Sequence, residues 1–115
     1  MFIRPFDWLP LQGVGAEIGV AEGRNAASML HRHPEIRELH LVDPYIEYHQ
    51  ERDRARAGRI AHKRMAKFGS RVQFHRCSVE SANLPMLDFA YIAEVKFNRQ
   101  VAKSAKAIQI RKAGL

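Results

Sequence analysis

The sequence predicts an α/β fold, in which about four parallel strands form one sheet with helices on both of its faces. Short apolar segments typical of strands alternate with longer segments whose apolar residues recur at helical spacing. The predicted strands are residues 14–20, 39–43, 71–77 and 87–92. The first two connections are helical segments long enough for the crossovers that parallel strands need.

The length and composition predict one soluble domain. With 115 residues the chain can bury a single core, and two domains are not expected. No apolar run approaches the roughly 20 residues that span a bilayer, so no membrane association is expected. Residues 1–12 contain prolines and an aspartate where a secretion signal would be apolar, and we expect them to pack over the core or cover a pocket. The single cysteine, Cys77, forms no internal disulfide, which favours a cytoplasmic protein.

The first strand and helix surround a glycine turn. Residues 14–20 are small or β-branched around one acid, Glu17, and Gly19 and Gly23 follow closely. Residues 24–33 carry apolar side chains at helical spacing, and the proline after them cannot continue a helix. A strand that runs into glycines and then into a helix is how a turn that holds a phosphate or carboxylate is built.

The second strand ends on a carboxylate. Residues 39–43 are mostly apolar up to Asp43, and Pro44 closes the strand. In a parallel pair, this acid and the glycine turn would lie at the same edge of the sheet. The acid can accept ribose hydroxyl protons while the glycines let the backbone approach a ligand, so the two strands predict a nucleoside pocket.

The remaining segments supply scaffold for that pocket. Residues 46–68 have one apolar stripe among charges and predict a solvated helix that ends at Gly69, with Gly58 as a point where it could split. Residues 71–77 alternate polar and apolar side chains, as an edge strand does. Residues 97–112 carry apolar and basic side chains on opposite faces and predict an amphipathic terminal helix.

The glycine spacing excludes two common nucleotide sites. A dinucleotide fingerprint needs Gly-x-Gly-x-x-Gly directly after the strand, whereas Gly13 and Gly15 lie before it or early in it. No glycine is followed by Lys-Ser or Lys-Thr, which a triphosphate-binding loop requires. The six histidines lack the spacing of a zinc site, so no metal is expected.

Two motifs, in this order, resemble a known family. Residues 17–23 read Glu-Ile-Gly-Val-Ala-Glu-Gly, and residues 41–44 read Leu-Val-Asp-Pro. This pattern resembles class I S-adenosylmethionine-dependent methyltransferases, in particular the small-substrate branch with Glu-Ile-Gly-x-x-x-Gly and Leu-Val-Asp-Pro. The resemblance covers residues 13–92 and implies a Rossmann-like fold that binds S-adenosylmethionine.

The resemblance also implies roles for five residues. Glu17 and the backbone around Gly19 would face the methionine end of S-adenosylmethionine, and Gly23 would keep the approach to the helix open. Asp43 would accept the ribose hydroxyls, and Ser78 with its neighbours would lie near the adenine. Four of these residues also have a simpler interpretation: Gly19 and Gly23 as turn glycines, Asp43 as an acid at a helix start, and Ser78 as an ordinary loop serine.

The chain departs from the family after the fourth strand. Residues 93–96 read Ala-Glu-Val-Lys where that branch has an acid and often a histidine, and the three further strands of the seven-stranded fold are missing. We therefore expect a truncated relative in which cofactor binding is favoured over turnover. A bare strand edge tends to pair, which predicts a homodimer formed through the fourth strand or the terminal helix.

Two alternatives to a methyltransferase-like protein remain, and the net charge of +7 bears on the first of them. Residues 46–70 carry seven basic and three acidic side chains, and residues 96–115 carry six basic and no acidic ones. Such helices suit a small basic nucleic-acid-binding protein, although basic runs are also common on solvated faces. The other alternative is a structural α/β protein with an empty pocket that binds a partner through its terminal helix.

Overall fold

The computed structural model describes residues 11–45, 51–92 and 108–111, and it confirms the α/β fold class. Two helices and four strands make up these parts, and a short 3₁₀ segment, Ala66–Arg71, joins the second helix to the third strand. The elements are β1 (Gly13–Ile18), α1 (Arg24–Arg32), β2 (Ile36–Val42), α2 (Glu51–Met65), β3 (Val72–His75) and β4 (Phe89–Ile92).

The four strands form one all-parallel sheet in the order β3-β2-β1-β4. The chain moves outward from β1 to β2 and β3, and then returns to the other side of β1 to form β4. This reversal of direction lies between β1 and β4, and ligands of open α/β sheets bind at the carboxyl ends of the strands beside such a reversal. Glu17 lies in register there, between Leu41 and Tyr91.

Both described helices pack against the same face of the sheet. Their buried side chains, among them Met29 of α1 and Met65 of α2, form one cluster with Leu39, Leu41 and Phe89 of the strands. Burial of this apolar surface is the main force that holds the helices on the sheet. On the other face, Val14 and Ala16 belong to a second, smaller cluster.

Arg71 anchors the end of α1 to the start of β3. Its guanidinium donates hydrogen bonds to the carbonyl oxygens of Leu30 and His33 at 3.2 Å each and of Ile36 at 3.0 Å. The carbonyls at a helix end lack partners within the helix, and a guanidinium with five N–H groups can satisfy several of them. The Arg71 side chain, from a distant part of the sequence, therefore fixes the turn between α1 and β2.

The second helix differs from the expectation at Gly58. The helix continues through Gly58 without a break. Gly58 is buried, and an added Cβ would lie 3.4 Å from the Tyr45 ring, so the missing side chain serves close packing. A kink at Gly69, with φ of 57°, follows the helix close to the predicted end. Residues 46–50, which the prediction included, lie outside the described residues.

The predicted terminal helix over residues 97–112 is wrong at its end. Residues 108–111 are extended, and Ile110 pairs in parallel with Leu87. The Leu87 N–H donates to the Gln109 carbonyl at 2.9 Å, and the Arg111 N–H donates to the Leu87 carbonyl at 2.6 Å. Backbone pairing with the sheet therefore prevails over the helical periodicity of the sequence. Residues 97–107 and 112 lie outside the described residues.

Two further expectations concern the chain start and membranes. Of the predicted covering segment, residues 1–12, only the last two residues are described, and Leu11 is buried in the main core. Within the described ranges, neither helix has the length and apolar composition needed to cross a membrane.

Candidate functional site

The glycine turn between β1 and α1 has an unusual backbone. Positive φ angles alternate along it, at Gly19 (86°), Ala21 (51°) and Gly23 (80°). Glycine adopts such angles readily, whereas a residue with a Cβ does so at a cost of about 1–3 kcal/mol. Contacts around Ala21 must therefore hold the turn in place.

Asp43, just after β2, supplies most of that support. Its Oδ2 accepts hydrogen bonds from the N–H groups of Val20 and Ala21, each at 3.0 Å. Its Oδ1 accepts the Tyr45 N–H at 2.8 Å. Successive N–H groups in such a turn form a small anion-binding concavity. In this protein the chain's own carboxylate fills that concavity.

Two side chains hold the turn from outside. The Tyr45 hydroxyl donates to the Ala21 carbonyl at 2.7 Å, and Arg64 of α2 donates to the Glu22 carbonyl at 2.6 Å. Burial, followed by the negative charges of Asp43 and Glu17, raises the pKa of Tyr45, so the phenol stays protonated and able to donate. The roles of Tyr45 and Arg64 in holding the turn cannot be predicted from local sequence spacing, because both contacts join segments far apart in the chain.

Glu17 is buried beside this turn, and its carboxylate lacks a well-formed hydrogen bond. The residue is 0 % exposed, and among the described residues neither carboxylate oxygen accepts a hydrogen bond of good geometry, although the Asn25 side chain lies close enough to act on its pKa. Burial, together with the nearby charge of Asp43, raises the pKa of Glu17 to about 8, and the Asn25 side chain offsets only part of that rise. A carboxyl group without partners in such a place is costly, so it is ready to pair with a cation.

A shallow pocket opens over the N-terminus of α1. Its volume is about 280 Å³, and its lining residues are Val20, Ala21, Glu22, Arg24 and Asn25. Asn25 both lines this pocket and acts on the pKa of Glu17, so the buried carboxyl lies next to the pocket. Gly23 caps α1 without a side-chain hydrogen bond. The pocket thus combines a positive helix end and the exposed Arg24 with a buried acid.

The structure brings Glu17, Gly19, Gly23 and Asp43 to one edge of the sheet. Their expected contacts with a ligand stay predictions. The hydrogen bonds within the protein limit which of their backbone groups a ligand could use. The Gly19 N–H donates to Val42, and the Gly23 N–H donates to Val20, both at 2.9 Å. These backbone groups are therefore occupied, and a ligand carboxylate would have to use the first turn of α1 instead. Asp43 accepts three N–H groups, and a carboxylate offers about four acceptor positions.

Ser78 lies apart from this group. It is exposed in the turn after β3, where its hydroxyl lies 3.3 Å from that of Ser81. It does not line the pocket over α1. An adenine near Ser78 would have to extend from the turn across the carboxyl end of β2, because β2 separates β3 from β1 in the sheet.

A second polar cluster lies on the opposite face of the sheet. His40, which is 3 % exposed, has its Nε2 2.6 Å from Glu38 Oε1 and its Nδ1 2.8 Å from His75 Nε2. Gln73 donates to the same Glu38 oxygen at 3.0 Å. Burial, together with the neighbouring His40, lowers the pKa of His75. Both ring nitrogens of the buried His40 thus have partners.

The described residues form no metal centre, and no relative of the chain is found. Among the residues that the structure describes, no three or more His, Cys, Asp or Glu side chains are grouped so that they could hold a metal ion. Comparison of the chain with protein-family models, curated proteins and solved structures finds no significant match.

Proposed function

We propose that this chain is an S-adenosylmethionine-binding, methyltransferase-like protein. The observation that carries the proposal is the fully buried carboxyl of Glu17, which has no well-formed hydrogen bond among the described residues and is linked through Asn25 to the pocket at the N-terminus of α1. The amino-acid end of S-adenosylmethionine has an ammonium and a carboxylate a few bonds apart. Glu17 suits the ammonium, and the helix end with Arg24 suits the carboxylate.

The position in the fold supports the same ligand. Glu17 and Asp43 are at the carboxyl ends of adjacent parallel strands, beside the point where the strand order reverses. A nucleoside attached to the amino-acid group would extend from Glu17 toward Asp43, where one acceptor position is left for a ribose hydroxyl. The Glu-Ile-Gly-x-x-x-Gly and Leu-Val-Asp-Pro motifs favour the same assignment.

If the protein is active, it transfers the methyl group of the sulfonium to an acceptor. This reaction needs in-line positioning of acceptor and sulfonium and, for some acceptors, a base. The described residues after β4 supply no such base, and residues 93–96 lie outside them. The proposal therefore assigns binding residues and leaves the catalytic residue unassigned.

Calorimetric titration with S-adenosylmethionine and S-adenosylhomocysteine tests the proposal. We expect both to bind the parent protein, and Glu17→Gln to weaken binding by at least tenfold because the ammonium loses its charged partner. The matched control is Glu35→Gln, which makes the same chemical change at an exposed site. No heat and no shift in Tm with either ligand would refute the proposal.

A simpler observation distinguishes S-adenosylmethionine binding from the structural alternative, in which the pocket is empty and the protein binds a partner. Protein purified without added ligand is precipitated with acid, and the supernatant is examined for adenine absorbance. An adenine spectrum in near-stoichiometric amount favours the binding proposal. The single cysteine supports a cytoplasmic location, where such a ligand would be met.

The proposal retains a homodimer formed through the β4 edge or the terminal segment. Leu87, just before β4, already pairs with Gln109 and Arg111 of the same chain. A partner strand would therefore have to add beside β4 itself, Phe89–Ile92. Sedimentation at micromolar concentration tests this arrangement, and a stable monomer would count against it.

A further inference from the structure

The exposed side of α2 carries a row of basic residues. Arg56, Arg59 and Lys63 are exposed at intervals of three and four residues, and Lys67 follows four residues later in the 3₁₀ segment. Residues at these intervals lie on one face of a helix, about 5–6 Å apart. The row therefore presents four positive charges in a line.

These charges have no acidic partner among the described residues. Ion pairs observed elsewhere in the described part of the chain involve Arg24, His40 and Arg111, none of which belongs to the row. Lys67 contacts only the Phe68 ring, with its nitrogen 5.3 Å from the ring centre. Four cations in a line, without an acidic partner among the described side chains, repel one another and attract a polyanion. This absence of partners separates the row from a helix surface covered by internal salt bridges.

A shallow depression lies beside the row. It has a volume of about 380 Å³ and is lined by Ile60, Lys63, Arg64 and Lys67. Arg64 also donates to the Glu22 carbonyl, and Glu22 lines the pocket over α1. An anionic chain bound along the row would therefore pass close to the glycine turn.

The packing of α2 favours nucleic acid over an anionic lipid surface. A helix that binds a membrane surface inserts an apolar face between the lipids. The apolar side of α2 is used in the core, where Ala61 is 0 % and Met65 is 2 % exposed. A row of cations without an apolar face suits the regularly spaced phosphates of a nucleic-acid backbone.

We propose that Arg56, Arg59, Lys63 and Lys67 bind the phosphate backbone of nucleic acid without base specificity. Base reading is not part of this mode, because the row contains no exposed aromatic or amide side chain. The inference goes beyond the adenosyl pocket and does not depend on it.

Fluorescence anisotropy with a labelled 20-nucleotide single strand tests the inference. Four phosphate contacts give a slope of about −3 for log Kobs against log salt concentration, which is about a 50-fold loss of affinity between 50 and 200 mM salt. The double variant Arg59→Gln/Lys63→Gln should reduce the slope to about −1.4 and weaken binding at least tenfold at low salt. Oligonucleotides of unrelated sequence should bind equally well.

The matched control removes two exposed charges from the other end of the sheet, in the variant Arg32→Gln/Arg37→Gln. It should retain the slope of the parent, and the Tm of both double variants verifies that they are folded. Equal loss in both variants, a slope near zero, or tighter binding to phosphatidylserine vesicles than to the oligonucleotide would overturn the inference. Titration of the Arg59→Gln/Lys63→Gln variant with S-adenosylhomocysteine tests the adenosyl pocket independently. Failure of nucleic-acid binding and failure of S-adenosylhomocysteine binding can therefore be distinguished.

Discussion

Glu17 and His40 are both buried polar residues in the middle of the sheet, yet their surroundings differ. His40, on one face, has Glu38 and His75 within hydrogen-bonding distance of its two ring nitrogens. Glu17, on the face that the helices cover, has no well-formed hydrogen bond to either oxygen among the described residues, and only the Asn25 side chain partly offsets the rise of its pKa. Burying a polar group costs little folding free energy when its hydrogen bonds are complete. The cost rises to several kcal/mol when they are not. The comparison therefore marks His40 as structural and is consistent with the ligand contact proposed for Glu17.

The largest expected effect tests the Glu17 side of this comparison. A folded-state pKa of about 8, against a usual 4.5, means that the folded protein holds its proton more tightly than the unfolded chain does. The free energy of unfolding should therefore fall as pH rises from 4.5 to 8, and no further above that range. Glu17→Gln removes this loss and should stabilise the ligand-free protein by about 4 kcal/mol at pH 8.

Urea denaturation of both proteins at pH 4 and pH 8 measures this effect. The difference between Glu17→Gln and the parent should be small at pH 4, where the parent carboxyl is protonated in both states. The exposed Glu35→Gln variant should match the parent at both pH values. A Glu17→Gln variant that is destabilised at pH 8 would show that the carboxylate has a partner in the protein.

The second effect has the opposite sign and tests the His40 side. His40→Ala removes a buried ring and leaves Glu38 and His75 without their partner, so it should destabilise the protein by about 2–3 kcal/mol. Urea denaturation at pH 7.5 measures the change. If His40→Ala proved neutral while Glu17→Gln proved destabilising, the assignment of the two residues would have to be exchanged.

A smaller effect concerns the pH response of the histidine cluster. When His40 donates its Nε2 proton to Glu38, its Nδ1 must accept the proton of His75, so only one proton fits between the two rings. The lowered pKa of His75 means that the unfolded chain takes up a proton first as pH falls. The cluster's contribution to stability should therefore be complete above pH 6.5 and be lost as pH falls below it.

Thermal denaturation between pH 5 and pH 7.5 detects this loss. His75→Gln retains a hydrogen-bonding side chain but cannot titrate, so its Tm should depend less on pH in that window. The control, His31→Gln, changes an exposed histidine of α1 and should keep the pH dependence of the parent. Identical pH profiles for all three proteins would show that the cluster does not titrate in this range.

The fold was largely predictable because apolar periodicity and glycine placement act locally. The strand segments around Glu17 and Asp43 and the helix before Pro34 follow from residues within a few positions of one another. The conformation of residues 108–111 did not follow from nearby residues. Their helical spacing is outweighed by hydrogen bonds to Leu87, 22 positions or more away in the chain. Long-range backbone pairing is not encoded in local periodicity.

The candidate site was predictable in its members but not in its internal contacts. The order of Glu17, Gly19, Gly23 and Asp43 indicated that they meet at one edge. The sequence did not indicate that Asp43 would occupy the concavity of the turn, nor that Tyr45 would hold Ala21 in a strained backbone. Aspartate in a turn is too common to identify such a role without the coordinates of its partners.

The most direct test of the account follows the proton of Glu17 during ligand binding. A pKa of about 8 leaves the carboxyl mostly protonated at pH 7, and pairing with the ligand's ammonium should expel that proton. Titration with S-adenosylhomocysteine at pH 7, in phosphate and in Tris, gives the number of protons released from the difference in heat. We predict about 0.9 protons released per ligand for the parent and about zero for Glu17→Gln. Binding without proton release, or no binding at all, would contradict the account.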